Sequence, residues 1–272
     1  MSVRDPQAGE SLQTEPPADG PPSAGEDTGP PGHAMSILSV GRWLAGIAAV
    51  GFGCLAYVYI MLPDVRPLRT SNPPITAFML LRAREAQARG VAPRRVQRWV
   101  SYRQISPELT RAVLAAEDDA FWKHEGVDFE QLQESIEIDW ARRRLVRGAS
   151  TITQQLAKNL YLSPSKNPVR KLLELILARR LEAQLTKARI LELYLNVIEW
   201  GDGLYGAEAA ARTYFHTSAS TVSANESALL AAAIANPRVF NPGRPTARLI
   251  RRQQLILRRM GAESPPVLPA VP

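Results

Sequence analysis

The chain has 272 residues, of which 45% are hydrophobic and 22% are charged. That length and composition are enough for one or two folded domains, and they exclude a wholly disordered protein. A single cysteine excludes a disulfide scaffold and a cysteine-rich zinc site, and three scattered histidines argue against a histidine-based metal site.

Charge is unevenly distributed along the chain. The net charge is +7 overall and −5 within residues 1–34, so the remaining residues carry +12. A basic body of this kind predicts an anionic partner, such as nucleic acid, anionic lipid or a phosphorylated substrate.

The two ends of the chain are rich in proline. Residues 1–34 contain seven prolines and five glycines and no aromatic residue. Such a segment cannot bury enough apolar surface to offset the entropy lost on ordering, so we predict a disordered acidic tail there. Residues 263–272 hold four prolines, and a second loose tail is predicted for them.

An uncharged run of twenty residues, Trp43–Leu62, follows the acidic tail. At about 1.5 Å per residue, a helix of this length spans about 30 Å, the thickness of the hydrocarbon core of a bilayer. We therefore predict one transmembrane anchor within residues 36–62. Arg42 precedes the run and three arginines follow it by residue 82. This local distribution mildly favours a cytoplasmic body, although the rule is weak for long domains.

Beyond the anchor, the pattern divides into a connector and a body. Residues 63–100 contain Pro73-Pro74 and predict a membrane-proximal connector. Residues 101–262 have helical periodicity almost throughout and no alternating strand pattern, so the predicted fold is mainly α. Whether Phe78–Leu81 or Trp140–Val146 enters the bilayer stays open.

A carboxylate ends the apolar face of the first helix predicted in the body. Ser106 is a favourable N-cap and Pro107 suits the first helical position. Leu109, Val113 and Glu117 follow at intervals of four residues and share one face. Desolvation there raises the pKa of a carboxyl group toward that of a useful general base. The alternative is a solvated carboxylate among its acidic neighbours, and the spacing alone leaves both open.

A second helix, predicted to start at Thr151, presents uncharged polar side chains and one cation. Thr151 and Gln154 have the spacing of a capping box, and Lys158 lies one turn after Gln154. Such a face suits a sugar or a phosphate, and it equally suits solvent.

A third helical stretch is predicted from residue 167 to about residue 196, and its start is basic. Lys166, Arg170 and Lys171 cluster there, where backbone N–H groups also attract anions. Glu174 lies one turn after Arg170. Either a solvated ion pair or a phosphate cradle with Glu174 inside it accounts for the pattern.

Five stretches of the body form a recognisable series. In chain order they are Glu117–Asp128, Ala149–Asn159, Arg170–Glu174, Ile190–Asn196 and Gly203–Ala211, the last with Tyr214-Phe215. Together they resemble the glycosyltransferase domain that polymerises peptidoglycan, in its monofunctional biosynthetic form without a transpeptidase domain. The resemblance covers roughly residues 75–245, and several motifs in the right order are far more specific than any single one. The chain departs from the family's pattern at Ala149, Thr217 and Ala235, where Gly, Lys and Pro are usual.

The resemblance implies a mainly α, lysozyme-like fold with a small membrane-proximal lobe. It also implies a substrate, lipid II, which is a disaccharide-peptide on a polyprenyl pyrophosphate, together with the growing glycan strand. This substrate accounts for the anchor and the basic body. It places the body on the periplasmic side of the bacterial inner membrane, against the mild orientation signal of the arginines. Division or elongation proteins are candidate partners, and nucleic acid is not.

The resemblance further implies roles for individual residues. Glu117 is the expected general base, which takes a proton from the 4-hydroxyl of the acceptor sugar. Glu174 is expected to orient neighbouring cations or to hold a divalent ion, and both roles stay open. No cofactor is certain, and a divalent cation, Mg²⁺ or Mn²⁺, that accompanies the pyrophosphate stays open as well. The residues expected to bind sugar or pyrophosphate are Lys158, Lys166, Arg170, Ser150, Gln154 and Asn159. The residues expected to support the site are Asp118, Phe121, His124 and Gly126.

Three other functions compete with this one. A lysozyme-like lytic glycosidase would use a Glu as an acid, often with a second carboxylate. The basic cluster argues against it, because a glycosidase has no pyrophosphate to neutralise. An inactive membrane-anchored divisome interaction protein is disfavoured by the presence of every catalytic candidate. Nucleic-acid binding lacks support, because no aromatic residues are interleaved with the arginine pairs at 251–252 and 258–259.

Overall fold

The computed structural model describes residues 37–128, 150–162 and 168–262. Both predicted tails, Lys166 and Trp140–Val146 lie outside these residues. The chain divides into two units, Met1–Cys54 and Leu55–Pro272.

A long apolar helix, α1 (Ile37–Met61), comes first among the described residues. Its segment Val40–Tyr57 is long and apolar enough to cross a membrane, and none of that segment is buried within the protein. Large apolar side chains such as Trp43, Val50 and Phe52 are exposed on it. Exposed apolar surface on this scale is costly in water, so the helix fits the predicted membrane anchor.

The segment after the anchor helix is fastened to the body by arginines. It contains a 3₁₀ turn at Arg66–Arg69 and the helix α2 (Ala77–Ala88). The Arg189 guanidinium donates hydrogen bonds to the carbonyl oxygens of Leu68 (2.8 Å) and Ser71 (2.9 Å). These bonds satisfy backbone acceptors that have no partner in a regular element, and they hold the connector on the body.

Helices make up most of the body, as predicted. They are α3 (Pro107–Glu117), α4 (Ile152–Tyr161), α5 (Pro168–Gln184), α6 (Lys187–Val197), α7 (Ala207–Phe215), α8 (Ala224–Ala233) and α9 (Ala247–Ala262). The predicted N-caps are confirmed, since Ser106 Oγ accepts from the N–H of Glu108 and Thr151 Oγ1 accepts from that of Gln154.

The prediction of one helical stretch between residues 167 and 196 is wrong, because the chain forms two helices there. Thr186 lies between α5 and α6, and its hydroxyl accepts a hydrogen bond from the N–H of Arg189 at 3.2 Å. This cap begins α6 anew. The apolar spacing continues across the break through the buried Leu185, so periodicity does not reveal it.

A small three-stranded sheet was not expected from the sequence. Its strands are β1 (Val96–Gln97), β2 (Glu199–Gly201) and β3 (Leu204–Tyr205), in the order β1-β3-β2, with β1 parallel and β2 antiparallel to β3. Strands of two or three residues are too short to show an alternating pattern. The sheet is joined to α2 by the Arg82 guanidinium, which donates to a Glu199 carboxylate oxygen at 2.8 Å.

Two groups of packed helices build the body. Helices α3, α8 and α9 contact one another, and α4 packs on α2, α5 and α6. Leu109 and Val113 of α3, Leu156 of α4 and Leu193 of α6 are fully buried in the shared core. Burial of each such side chain contributes roughly 1.5–3 kcal/mol. Because α3 and α4 are both anchored in this core, the polar residues at their ends are held close together.

Candidate active site

A cavity of about 580 Å³ lies where the end of α3, one face of α4, the loop after α8 and the start of α9 meet. Its volume is within the range of small-molecule sites. The lining residues are Ala116, Glu117, Ser150, Gln155, Lys158, Ile234, Ala235, Asn236, Val239, Phe240, Arg248 and Arg252. Among these described residues there is a single carboxylate and there are three cations, so the cavity suits an anion.

The carboxylate of Glu117 is placed at the last residue of α3 and is partly exposed to the cavity. Burial raises its pKa. A hydrogen bond from Gln155 Nε2 to Glu117 Oε2 (2.9 Å) and the charges of Arg252 and Lys158 oppose that rise, while Asp118 adds to it. A desolvated carboxylate with a raised pKa and one fixed oxygen is suited to accept a proton.

Lys158 lies on the same face of α4 as Gln155, and both residues line the cavity. Burial lowers its pKa, and the nearby carboxylate of Glu174 opposes that shift. Arg170 and Lys171 add to the lowering because like charges disfavour each other. The protonated state of Lys158 therefore depends on Glu174.

An ion cluster around the buried carboxylate of Glu174 links α5 to the start of α4. Glu174 is 3% exposed, and its two oxygens accept from Arg170 (3.0 Å) and Lys171 (2.7 Å). The Lys171 ammonium also donates to Ser150 Oγ (3.1 Å) and Gln154 Oε1 (2.8 Å). All three Lys171 donors are thus used. The cluster fixes Ser150 at the rim of the cavity.

Asp118 links the segment Glu117–Asp128 to the start of α4 by hydrogen bonds. It is 3% exposed; one carboxylate oxygen accepts the N–H of Ile152 at 2.8 Å and both lie near His124 Nε2, at 2.9 and 3.1 Å. The Gly126 N–H donates to His124 Nδ1, so the neutral imidazole carries its proton on Nε2 and donates to Asp118. The carboxylate also accepts at the first turn of α4, where the helix dipole favours an anion.

The carbonyl of Gly126 is a second link between the two motifs. It accepts from Thr151 Oγ1 (2.8 Å) and from Gln154 Nε2 (3.2 Å). Gly126 has φ +85°, and a Cβ there would lie 3.0 Å from Glu182 Cγ and 3.3 Å from the backbone of Ala178. Both the conformation and the close approach require glycine.

Gly126→Ala is expected to destabilise the body by about 1–3 kcal/mol, because it adds backbone strain and a steric clash. Gly90→Ala is the matched control, since Gly90 has φ +72° but open space around it. Thermal unfolding of the two variants in the same detergent separates the effects. Equal losses in both would show that packing against Ala178 contributes nothing.

The predicted site residues fall into distinct positions. Glu117, Ser150 and Lys158 line the cavity. Glu174 and Arg170 do not line it but are connected to it by hydrogen bonds: Glu174 accepts from Arg170 and Lys171, and Lys171 donates to Ser150. Direct contact of the remaining polar candidates with substrate stays a prediction.

Gln154 and Asn159 are buried, and their amides bond within the protein. Gln154 donates to the carbonyl of Gly126, and Asn159 Nδ2 donates to that of Gln155 at 2.8 Å. Phe121 is fully buried with its ring edge-on to Trp122 and beneath the Lys187 ammonium, 4.4 Å from the ring centroid.

The carboxylates of Asp118 and Glu174 both have hydrogen-bond partners within the protein. Ligand atoms of Asp118, His124 and Asp128 lie within 4.8 Å of one another. The Asp118 oxygens, however, already bind His124 and the N–H of Ile152. The two Glu174 oxygens likewise accept hydrogen bonds from Arg170 and Lys171.

Sequence reasoning assigned no role to four residues that the fold brings to the cavity or links to Glu117. Gln155 and Tyr194 form a hydrogen-bonded chain to Glu117, and Arg248 and Arg252 line the cavity. Both arginines lie on a helix that contains no acidic residue. That absence was the available signal, because no carboxylate on α9 itself can neutralise them.

The fold and site define a helical enzyme with one carboxylate in a cationic cavity. A sequence profile described as Transglycosylase matches residues 85–261, and the chain belongs to the transglycosylase family. It is accordingly a glycosyltransferase that polymerises glycan strands for the cell wall.

Relatives named biosynthetic peptidoglycan transglycosylase cover most of the chain. The protein of Nitrosospira multiformis is 47% identical over 195 residues, which are 72% of this chain and 85% of the relative. That of Laribacter hongkongensis is 45% identical over 221 residues, 80% and 96% of the two chains. That of Dechloromonas aromatica is 46% identical over 233 residues, 85% and 100%.

Proposed function

We propose that the chain polymerises lipid II with Glu117 as the general base. Glu117 accepts the proton of the 4-hydroxyl group of the acceptor GlcNAc. The oxygen attacks C1 of the MurNAc at the reducing end of the donor strand. The C1–O electron pair leaves with the polyprenyl pyrophosphate, and a β-1,4 bond forms with inversion. The observation that carries the proposal is the single desolvated carboxylate among the cations of the cavity.

Charge stabilisation of the leaving pyrophosphate is assigned to Lys158, Arg248 and Arg252, which line the same cavity. Cations held in place before the reaction stabilise developing negative charge without reorganisation. Arg170 and Lys171 are proposed to contribute to the same charge stabilisation, with their side chains held in place by Glu174. Lys166 is proposed to contact the pyrophosphate. Ser150, at the rim, is proposed to contact the sugar.

A divalent cation is proposed to arrive with the pyrophosphate. The Glu174 carboxylate does not fit a protein-held ion, because Arg170 and Lys171 already engage both of its oxygens. The phosphate oxygens of the substrate are hard ligands that suit such an ion. No step of the proposed mechanism passes through this ion.

A lytic glycosidase is the rival that the cavity disfavours. Glycosidases use two carboxylates across the scissile bond. Among the described residues that line this cavity, Glu117 is the only one.

The test uses the full chain in detergent with labelled lipid II and a gel that resolves glycan strands. We expect long strands that lysozyme digests, and no shortening of preformed glycan. Shortening of preformed glycan without synthesis would establish the glycosidase instead, and neither activity in a folded protein would favour the inactive interaction protein. Division or elongation proteins as partners stay a prediction.

The body is proposed to lie on the periplasmic side of the bacterial inner membrane, where lipid II presents its sugars after export. Support for this side comes from the substrate, and support for anchoring comes from α1, the one helix among the described residues that is long and apolar enough to cross a membrane. Protease added to spheroplasts should digest the body and leave an N-terminal tag intact. A protected body and a digested tag would reverse the orientation.

A further inference from the structure

A chain of two hydrogen bonds connects the core to the proposed base. Tyr194 Oη donates to Gln155 Oε1 at 2.9 Å, and Gln155 Nε2 donates to Glu117 Oε2 at 2.9 Å. The three residues belong to α6, α4 and α3, so the chain crosses both helix groups of the body.

The orientation of the Gln155 carboxamide follows from its neighbours. One end faces two acceptors, the carboxylate of Glu117 and the carbonyl oxygen of Ser150, the latter at 3.4 Å. Neither group can donate when Glu117 is ionised, so the amide nitrogen must point to them. The amide oxygen then points to Tyr194 and needs a donor there. The tyrosine hydroxyl is that donor.

The hydroxyl is held rigidly in this position. Tyr194 is fully buried, and burial raises its pKa well above the ordinary value, so it stays protonated and able to donate. Two residues on, Asn196 bonds both backbone groups of Val100, accepting from its N–H (3.0 Å) and donating to its carbonyl (2.9 Å). These bonds fix α6 against the segment before α3.

We propose that Tyr194 is a positioning residue that holds the Gln155 amide with its N–H directed at Glu117, and thereby keeps the base ionised and correctly oriented. The inference rests on the proposed function, since it assigns how the base of that reaction is prepared. Tyr194 does not line the cavity and acts through Gln155.

Several charged groups set the protonation of Glu117 together. Lys158 of α4 and Arg252 of α9 favour the ionised form, and Asp118 opposes it. Arg248 lines the same cavity. Because burial already raises the pKa of Glu117, loss of the Gln155 hydrogen bond raises it further. A base must be unprotonated to act, so the acidic limb of the rate profile then moves to higher pH.

The experiment compares Tyr194→Phe with Tyr205→Phe in the lipid II assay. Tyr205 is also buried, and its hydroxyl has no hydrogen-bond partner among the described residues, so it is the matched control. Loss of one buried hydrogen bond predicts a fall in kcat of about 5- to 10-fold for Tyr194→Phe, with KM unchanged. The acidic limb should shift to higher pH, and Tyr205→Phe should resemble the wild type.

A double-mutant cycle with Gln155→Ala identifies the route of the effect. If Tyr194 acts through Gln155, Tyr194→Phe should add nothing in the Gln155→Ala background. Additive losses, an unshifted acidic limb or wild-type kcat in Tyr194→Phe would each overturn the inference. Any of these results alongside an active wild type and an inactive Glu117→Gln variant would leave the proposed function standing. An active Glu117→Gln variant would remove that function first.

Discussion

Replacing Glu117 by Gln should reduce glycan polymerisation by about 10²- to 10⁴-fold, the usual contribution of a positioned general base. Glutamine keeps the shape of the side chain but cannot take up the proton of the acceptor hydroxyl. Its amide still reaches the cavity, so substrate binding should fall much less than turnover. The lipid II gel assay measures the loss of strands, and binding of labelled lipid II at equilibrium checks that the variant retains the substrate.

The same substitution should increase stability at neutral pH. Burial raises the pKa of Glu117 in the folded state above its unfolded value, so the folded state binds the proton more tightly. Below the pKa of Glu117 in the unfolded state, the carboxyl group is protonated in both states, and its contribution to the stability of the folded protein is complete. That contribution is lost as the pH rises through the pKa of Glu117 in the folded state, because burial disfavours the ionised carboxylate. The gain from Glu117→Gln should therefore be largest above the folded pKa and vanish in acid.

Glu108→Gln is the matched control for both measurements. Glu108 lies at the other end of α3, beside Arg111, and does not line the cavity. The control should polymerise lipid II like the wild type and show no such gain in stability. Synthesis of strands by a folded Glu117→Gln protein would remove Glu117 from the role of base.

Glu174→Gln should lower polymerisation by about 10²-fold, comparable to removal of one preorganised charge-stabilising group. The substitution removes one ionic oxygen from the cluster that holds Arg170, Lys171 and, through Lys171, Ser150. It also removes a negative charge that opposes the lowering of the Lys158 pKa by burial. The pKa of Lys158 should fall further, and the alkaline limb of the rate profile should move to lower pH.

Glu182→Gln is the control on the same helix. The Glu182 carboxylate is also largely buried and accepts from Thr153 Oγ1 (2.6 Å) and Lys187 (2.7 Å), but it does not line the cavity. This control should lose stability and keep the wild-type rate profile. Equal losses of activity in both variants, or an alkaline limb that Glu174→Gln leaves in place, would make Glu174 a structural residue only.

Local sequence was sufficient for the features that depend on neighbours along the chain. The uncharged run predicted α1, because a helix in lipid needs about twenty apolar residues and little else. Ser106 and Thr151 marked the starts of α3 and α4, because an N-cap bonds within its own turn. The four-residue spacing from Leu109 to Glu117 placed the carboxylate on the core-facing side of α3, at its end.

Contacts between distant segments were decided only by the tertiary structure. Helical spacing states which side chains share a face, but not what that face meets. The bond from Gln155 to Glu117 joins residues 38 apart, and that from Tyr194 to Gln155 joins residues 39 apart. No local pattern encodes such pairs. The same holds for Lys171, whose bonds to Ser150 and Gln154 depend on how α5 packs on α4.

Three features were not predicted, for related reasons. They are the helix break at Thr186, the short sheet and the part of the cavity that α9 lines. An apolar stripe can continue across a helix break, and strands of two residues have no period to detect. In the sequence, Arg252 belongs to an arginine pair to which no role was assigned. The packing of α9 against α3 and α8 places it in the cavity that Glu117 also lines. Local sequence thus determined the anchor helix, most of the helices of the body and the position of Glu117 at the end of α3, whereas packing between helices determined which groups surround Glu117 and shift its pKa.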